Sequence, residues 1–301
     1  MIKINKMNFI KVALVLLFLG SIQFFVGCKK SKDNPFGTDI TNMVRENALI
    51  EATFDDVLKV SENIMMNNGD ARIATAGAPL GCITNIDSVV TGPNQKTYTA
   101  TFSAACSSYD GKIRKGKIIF NLTGANYNTV GSELVVTFQD YSYDSNYVYG
   151  KMVVNNVSAN TFTIKVSDHI GTGYATLSIW NPGDSTRIAT QWKSLHTRYR
   201  YSGGGDNILI NDKFQITTPS PNSYMEGFTS DNNHYTAFVS APLFIDYSCR
   251  AVGMLRYPVA GRVNYFENYI NNRIVDYGDS SVCDKTVTII FDGSSESYDI
   301  Y

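Results

Sequence analysis

Histidine is scarce in this 301-residue chain, which has three: His169, His196 and His234. None belongs to an H-x-x-x-H or H-E-x-x-H motif, so a zinc hydrolase has no visible scaffold here. The G-x-S-x-G elbow of an α/β-hydrolase is missing as well. No C-x-x-C occurs and no cysteine lies near a histidine, which leaves metal binding and a thiol nucleophile without their usual neighbours. Charge is sparse: 18% of residues are Asp, Glu, Lys or Arg, against 44% apolar, and the net charge is -1. That balance permits a sizeable core and argues against global disorder. Three lysines and no acid precede residue 28, so the rest carries about -4, the wrong sign for a broad phosphate-binding surface. Nucleic acid is not an expected partner. The longest apolar run, 12–26, falls short of the roughly 20 residues of a spanning helix.

That run follows a basic segment holding Lys3, Lys6 and Lys11, and it ends in Phe25-Val26-Gly27-Cys28. Basic and apolar regions in this order form a secretory leader. The four residues ending in Cys28 resemble the lipobox of bacterial lipoproteins, although Phe25 departs from the usual Leu or Val. The resemblance implies cleavage before Cys28, so that 1–27 is the signal peptide and Cys28 carries the lipid. Two or more acyl chains would anchor the protein stably on a membrane. Residues 28–38 are polar, contain Pro35 and Gly37, and read as a tether of at most about 30–35 Å. Lys29 stands where an inner-membrane retention signal would have Asp, so a cell-envelope address on the outer membrane is expected.

Residues 39–301 are expected to form one unit, with a candidate internal boundary at 202–205 (SGGG). Its start, 39–67, is helical in pattern: Met43, Val44, Ile50, Phe54, Val57, Leu58, Ile64 and Met65 recur at three- and four-residue spacings. Thr53 could cap a second helix, so a break at 53–56 stays open. The Met and Phe stripe reads as core packing rather than a ligand groove. From Cys82 the period becomes two, and 19 Tyr and 16 Phe favour strands. Strands are expected at 97–104, 117–123, 133–141, 147–155, 161–167 and 175–180. A second series is expected at 186–201, 208–217, 234–240, 243–255, 261–266, 273–277 and 285–291, then a turn at Asp292-Gly293 into 296–300. Without intervening helices these strands must form antiparallel meanders. The fold class is therefore mainly β: an extensive antiparallel sheet assembly with a short N-terminal helical segment. Two similar halves are an open alternative, because Gly116–Gly124 and Gly253–Gly261 share G-x-[I/L]-x-x-x-[L/V]-x-G.

Apart from Cys28, four cysteines remain: Cys82, Cys106, Cys249 and Cys283. An even number in an exported protein suggests disulfides, and four cysteines allow three pairings. The local pairing, Cys82–Cys106 with Cys249–Cys283, is favoured; each link would contribute about 3–4 kcal/mol by restricting the unfolded chain.

Candidate chemistry is thin. Asp55-Asp56, or Asp140 with Asp144, could be glycosidase carboxylates, but the required separation across a cleft is not written in a sequence. Asp144-Ser145-Asn146 and Asp231-Asn232-Asn233 only faintly suggest calcium loops. The basic stretch 186–201 carries more interest. Trp192, His196, Arg198 and Arg200 share one strand parity; Arg187, Lys193, Tyr199 and Tyr201 share the other. Trp192, Arg198 and Arg200 are candidate binding residues for an anionic glycan or lipid, through stacking and charge-assisted hydrogen bonds. The plainer alternative is a set of cross-strand ladders on an exposed sheet face.

Two sets of residues together resemble a group of β-rich envelope lipoproteins of the Bacteroidota type. The first is Tyr109-Asp110-Gly111, Phe138-Gln139-Asp140-Tyr141, Gly150 and Val154-Asn155-Asn156. The second is Trp192, Arg198, Cys249-Arg250, Asp276-Tyr277-Gly278, Cys283-Asp284 and Asp292-Gly293. The resemblance implies an envelope location and a single-unit architecture, and it brings no chemistry with it. The expectation is a membrane-anchored protein with a non-enzymatic binding or structural role toward a glycan or envelope protein. No cofactor or catalytic residue is implied. A hydrolase acting on polysaccharide is the alternative.

Overall fold

The computed structural model describes residues 38–66, 82–103, 112–181, 186–203, 211–218, 225–251, 258–267, 271–279, 283 and 286–299. Leader, Cys28 and most of the tether lie outside the described residues, as does Cys106. Residues 38–301 form one compact unit. No described helix is long and apolar enough to cross a membrane.

The unit is mainly β: one antiparallel sheet of 16 strands among the described residues. It starts with α1 (Thr38–Met66), a continuous 29-residue helix. Thr53 does not break it; its Oγ1 donates to the Leu49 carbonyl one turn back, 2.8 Å away. An ordinary amphipathic helix leaves one face in water. Here only Arg45 is exposed between residues 43 and 66, and Asn47, Thr53, Ser61 and Glu62 are as inaccessible as Ile50 and Val57. The sheet therefore curls round α1. At about 3.6 residues per turn, Asn47, Lys59, Asp56 and Glu46 point in about four different directions. Each meets a different partner around the helix: Tyr235 and Tyr265, Tyr247, Arg114, and the turn at Ser230.

The first strands form a meander: β1 (Ile83–Gly92), β2 (Gln95–Phe102), β3 (Arg114–Thr123) and β4 (Glu133–Tyr143). Next come β5 (Asn146–Tyr149) and β6 (Lys151–Ser158), where the sequence pattern suggests one strand. Gly150 divides them. Its φ of +121° is a conformation side chains avoid, and a Cβ there would stand 2.5 Å from the Ser167 carbonyl oxygen. The bend sends β5 to pair with β8 (Ala175–Asn181), while β6 pairs with β7 (Thr161–Ser167). Both branches rejoin at β9 (Thr186–Ser202), which takes β7 and β8 on one side and β10 (Lys213–Thr217) and β11 (Met225–Phe228) on the other.

β12 (His234–Asp246) runs through the position of Pro242, where two shorter strands were expected. The chain accommodates the missing N–H by shifting register between Val239 and Phe244. Beyond Asp246 the expected strand gives way to α2 (Tyr247–Ala251), started by Asp246 accepting from the Ser248 N–H at 2.9 Å. β13 (Ala260–Glu267), β14 (Asn271–Asp276), β15 (Thr286–Phe291) and β16 (Ser294–Asp299) complete the sheet. Cys249 of α2 is bonded to Cys283, as the local pairing requires, with Cα atoms 5.4 Å apart. Cys82 is also disulfide-bonded, to a cysteine outside the described residues.

Candidate functional site: a slot between α1 and β9

β9 is the longest strand at 17 residues, and its alternation decides what α1 faces. Trp192, Ser194, Arg198 and Arg200 are buried and turned inward, while Tyr199 and Tyr201 are exposed on the outer face. The sequence pairs these residues by parity correctly but has no means of saying which parity faces inward. Trp192, Arg198 and Arg200 thus stand against the helix, out of reach of an external glycan chain. The Arg187 side chain lies outside the described residues.

The inner charges are matched. Arg198 Nη1 donates to Glu62 of α1 at 3.2 Å and Nη2 to the Tyr247 hydroxyl at 2.6 Å, with its guanidinium 3.5 Å from the centre of the Phe214 ring. Arg200 stands 3.6 Å from Glu62 and 3.2 Å from Asp212. Tyr127 also donates to Glu62, and Asp56 takes both Nε and Nη2 of Arg114, at 3.0 and 2.6 Å. Two carboxylates of α1 are thereby tied to β9 and β3. None of these charges is idle, because an unpaired buried charge is costly.

Beside this web lies an apolar cavity of about 70 Å³. Phe54 and Leu58 of α1 wall it on one side; Met152, Ile164, Val166, Val239 and Ile245 of the sheet wall the other. It reaches from Glu51 to Leu58 along the helix, about 10 Å of rise. One water needs about 10–15 Å³, so the space is that of about five waters. This cavity is the slot between α1 and β9.

A few polar side chains line it. The Trp192 side chain packs on Phe54, ring centres 5.7 Å apart, and its Nε1–H has no partner. Arg198 Nε is likewise without one. Glu51, one turn before Phe54, has its carboxyl pushed up to about 7 by burial, against the opposing hydrogen bond with Asn47. His196 is held down at about 4 by burial and by the charge of Arg198. Gly227 shapes this end. A Cβ there would meet the Tyr235 hydroxyl at 2.5 Å, so its absence lets Tyr235 reach across β11 to donate to Asn47 at 2.9 Å.

A second cluster sits on the opposite face of the same strands. Glu226 accepts from Tyr174 at 2.5 Å, Lys193 at 2.7 Å and the His234 ring at 2.9 Å. Burial alone would raise the Glu226 carboxyl, but the bonds from Lys193, Tyr174 and His234 outweigh it and hold it at about 2. A carboxylate so saturated has little proton affinity to offer a reaction near neutral pH. Sequence spacing gives no hint of this cluster, whose members come from β9, β11, β12 and the turn before β8.

The remaining sequence candidates lie apart. Asp55 borders the slot, Asp56 is held by Arg114, and Asp144 binds Lys112 at 2.5 Å in the turn between β4 and β5. His169 is exposed in the turn before β8. Among the described residues no group of three or more His, Cys, Asp or Glu side chains is placed to hold a metal ion. Comparison with family models, with curated proteins and with solved structures finds no match for the chain.

Proposed function

We propose that the protein is an envelope lipoprotein, anchored through lipid on Cys28, whose β-rich body has a non-enzymatic binding role. The basic-apolar leader ending at Gly27-Cys28 supports the anchor. The resemblance to β-rich envelope lipoproteins agrees with it, and the outer membrane is the location that Lys29 favours. One observation carries the binding role: an apolar slot lined by helix and sheet, with a few polar groups at its wall. Ligand sites have this make-up, mostly apolar with a small number of placed hydrogen-bonding groups. Glu226 is saturated by three donors and Asp56 is bound by Arg114, so neither supplies the acid or base of the polysaccharide-hydrolase alternative.

The anchor is tested by growing cells that express the full chain or its Cys28→Ser variant on a labelled fatty acid. The native chain is expected to take up label and sediment with membranes, and the variant to do neither. Labelling of the variant at an undiminished level would remove Cys28 as the attachment point.

A further inference from the structure

We infer that the outer face of the sheet binds a neutral polysaccharide chain across two rows of side chains, one aromatic and one polar. This surface is separate from the slot and does not depend on it. The aromatic row crosses β9, β10 and β12. Tyr199 pairs with Gln215 and Gln215 with Phe244, while Tyr201 sets its ring edge-on to Phe244, centres 6.0 Å apart. Tyr199 and Tyr201 are 44% and 43% exposed, and as alternate residues of one strand they stand about 7 Å apart along it. Arg198 and Arg200, on the other parity, take the side of α1.

The polar row crosses β13 to β16. Arg262 pairs with Asp276, Asp276 with Thr288 and Thr288 with Ser297, a run of three strand spacings or about 14 Å. Tyr265, on the other parity of β13, reaches Asn47 of α1, so Arg262 and its row face away from the helix. Arg262, Asp276 and Thr288 line an open recess of about 570 Å³, within the usual size of a small-molecule site. Ala241 of β12 lines it too, opposite Arg262 and three residues from Phe244, at most about 10 Å along the strand. The two rows are neighbours on one surface.

Their chemistry selects the occupant. A pyranose ring has an apolar C–H face and a rim of hydroxyls, each both donor and acceptor. Exposed tyrosine rings offer that face an apolar plane. The rim finds a guanidinium donor in Arg262, a carboxylate acceptor in Asp276, and hydroxyls of either sense in Thr288 and Ser297. Asp276 fixes the guanidinium by accepting from Arg262 Nε at 2.8 Å, and is itself held by the Gly278 N–H at 2.9 Å. Arg262 is thus matched by Asp276, and Lys213 by Asp246 at 2.8 Å, so neither row presents an unmatched cation to a phosphate, sulfate or uronate. A protein partner would need an apolar centre, whereas Tyr199 is flanked on this face by Thr161, Thr197 and Gln215.

The test titrates the full chain, in lauryldimethylamine-oxide micelles, with β-linked gluco-, manno-, xylo- and galacto-pentaose by isothermal calorimetry. Penta-galacturonate is the charged control. At least one neutral pentaose is expected to bind saturably with Kd below about 1 mM, and the uronate at least about tenfold more weakly. Tyr201→Ala and Arg262→Ala should each raise Kd about tenfold, since each removes the anchor of one row. Tyr201→Phe keeps the ring and should stay within about threefold of the native chain. Thr288→Val keeps the volume, loses the hydroxyl, and should raise Kd about threefold. Cooperative thermal unfolding of each variant separates a lost contact from a lost fold.

Failure of all four neutral pentaoses to bind would overturn the inference, as would binding that no variant weakens. Equal binding of the uronate would overturn the neutral occupant. Sedimentation of the native chain as a dimer, reverting to monomer in Tyr201→Ala, would give this face to a second copy of the chain and overturn it too. A null result here leaves the slot and the Cys28 anchor standing.

Discussion

The two faces of β9 carry similar side chains and use them in different ways. Inward, Arg198 and Arg200 meet Glu62 away from bulk solvent; both arginines and the glutamate are at most 4% exposed. Outward, Lys193 meets Glu226 with 32% of the lysine side chain exposed. A buried ion pair repays its desolvation only when both partners stay, whereas a half-exposed one can hand its partner back to water. The difference teaches where charge fixes the fold: the inner set ties α1 to the sheet, and the outer set joins neighbouring strands. Replacing Glu62 with Ala strands the Arg198 guanidinium, leaves Arg200 with Asp212 alone, and should cost about 3–5 kcal/mol. Chemical denaturation read by far-UV circular dichroism measures it; a loss below about 1 kcal/mol would mean that water reaches the inner face.

The inner face also has a pH response of its own. Glu51 has a folded value of about 7 against an ordinary 4.5, so the stability it contributes is full below 4.5 and is lost as pH rises to 7. His196 has a folded value of about 4 against 6.5, so the native state binds fewer protons and loses stability as pH falls from 6.5 to 4. The two slopes oppose each other across the shared window, roughly pH 4.5–6.5. Thermal midpoints of the native chain should therefore vary little with pH from this pair. Glu51→Gln should make the midpoint rise with pH across that window, and His196→Gln should make it fall. Parallel profiles for all three chains would show that neither group is shielded from solvent.

The fold was legible where the residue pattern has one period and a clear end. β7 matches its expected span, 161–167, because Phe162, Ile164 and Val166 alternate strictly and Ala159-Asn160 turns the chain. β1 and β11 were not legible. β1 is an edge strand with Val89 and Val90 both exposed, so neither face shows an apolar signal, and Met225–Phe228 is too short to show a period. The slot was half legible. Strand parity puts Trp192, His196 and Arg198 together, but only the pairing partners of β9 decide that this face meets a helix. The buried polar residues of α1 explain the rest: Asn47, Asp56 and Glu62 look like a solvent face in sequence until Tyr265, Arg114 and Arg198 arrive from strands far along the chain. The outer cluster joins residues 174, 193, 226 and 234, whose proximity depends wholly on strand register.

That register gives the smallest of the expected effects. Glu226 lies opposite Lys193 on β9, and its neighbour Gly227 lies opposite Trp192. Glu226→Ala removes the shared acceptor of Lys193, Tyr174 and His234, yet all three can turn to water. After allowance for that exposure the cost should be about 1 kcal/mol, well below that of the Glu62 change. Because three donors hold Glu226 at about 2, its contribution is present above the ordinary 4.5 and disappears as pH falls toward 2. Native and variant unfolding midpoints should therefore differ at pH 6 and converge near pH 2. A difference that persists at pH 2 would mean that Glu226 acts through packing on Phe228 and Tyr174 instead of through charge. The outer face would then resemble the inner one in being held by burial.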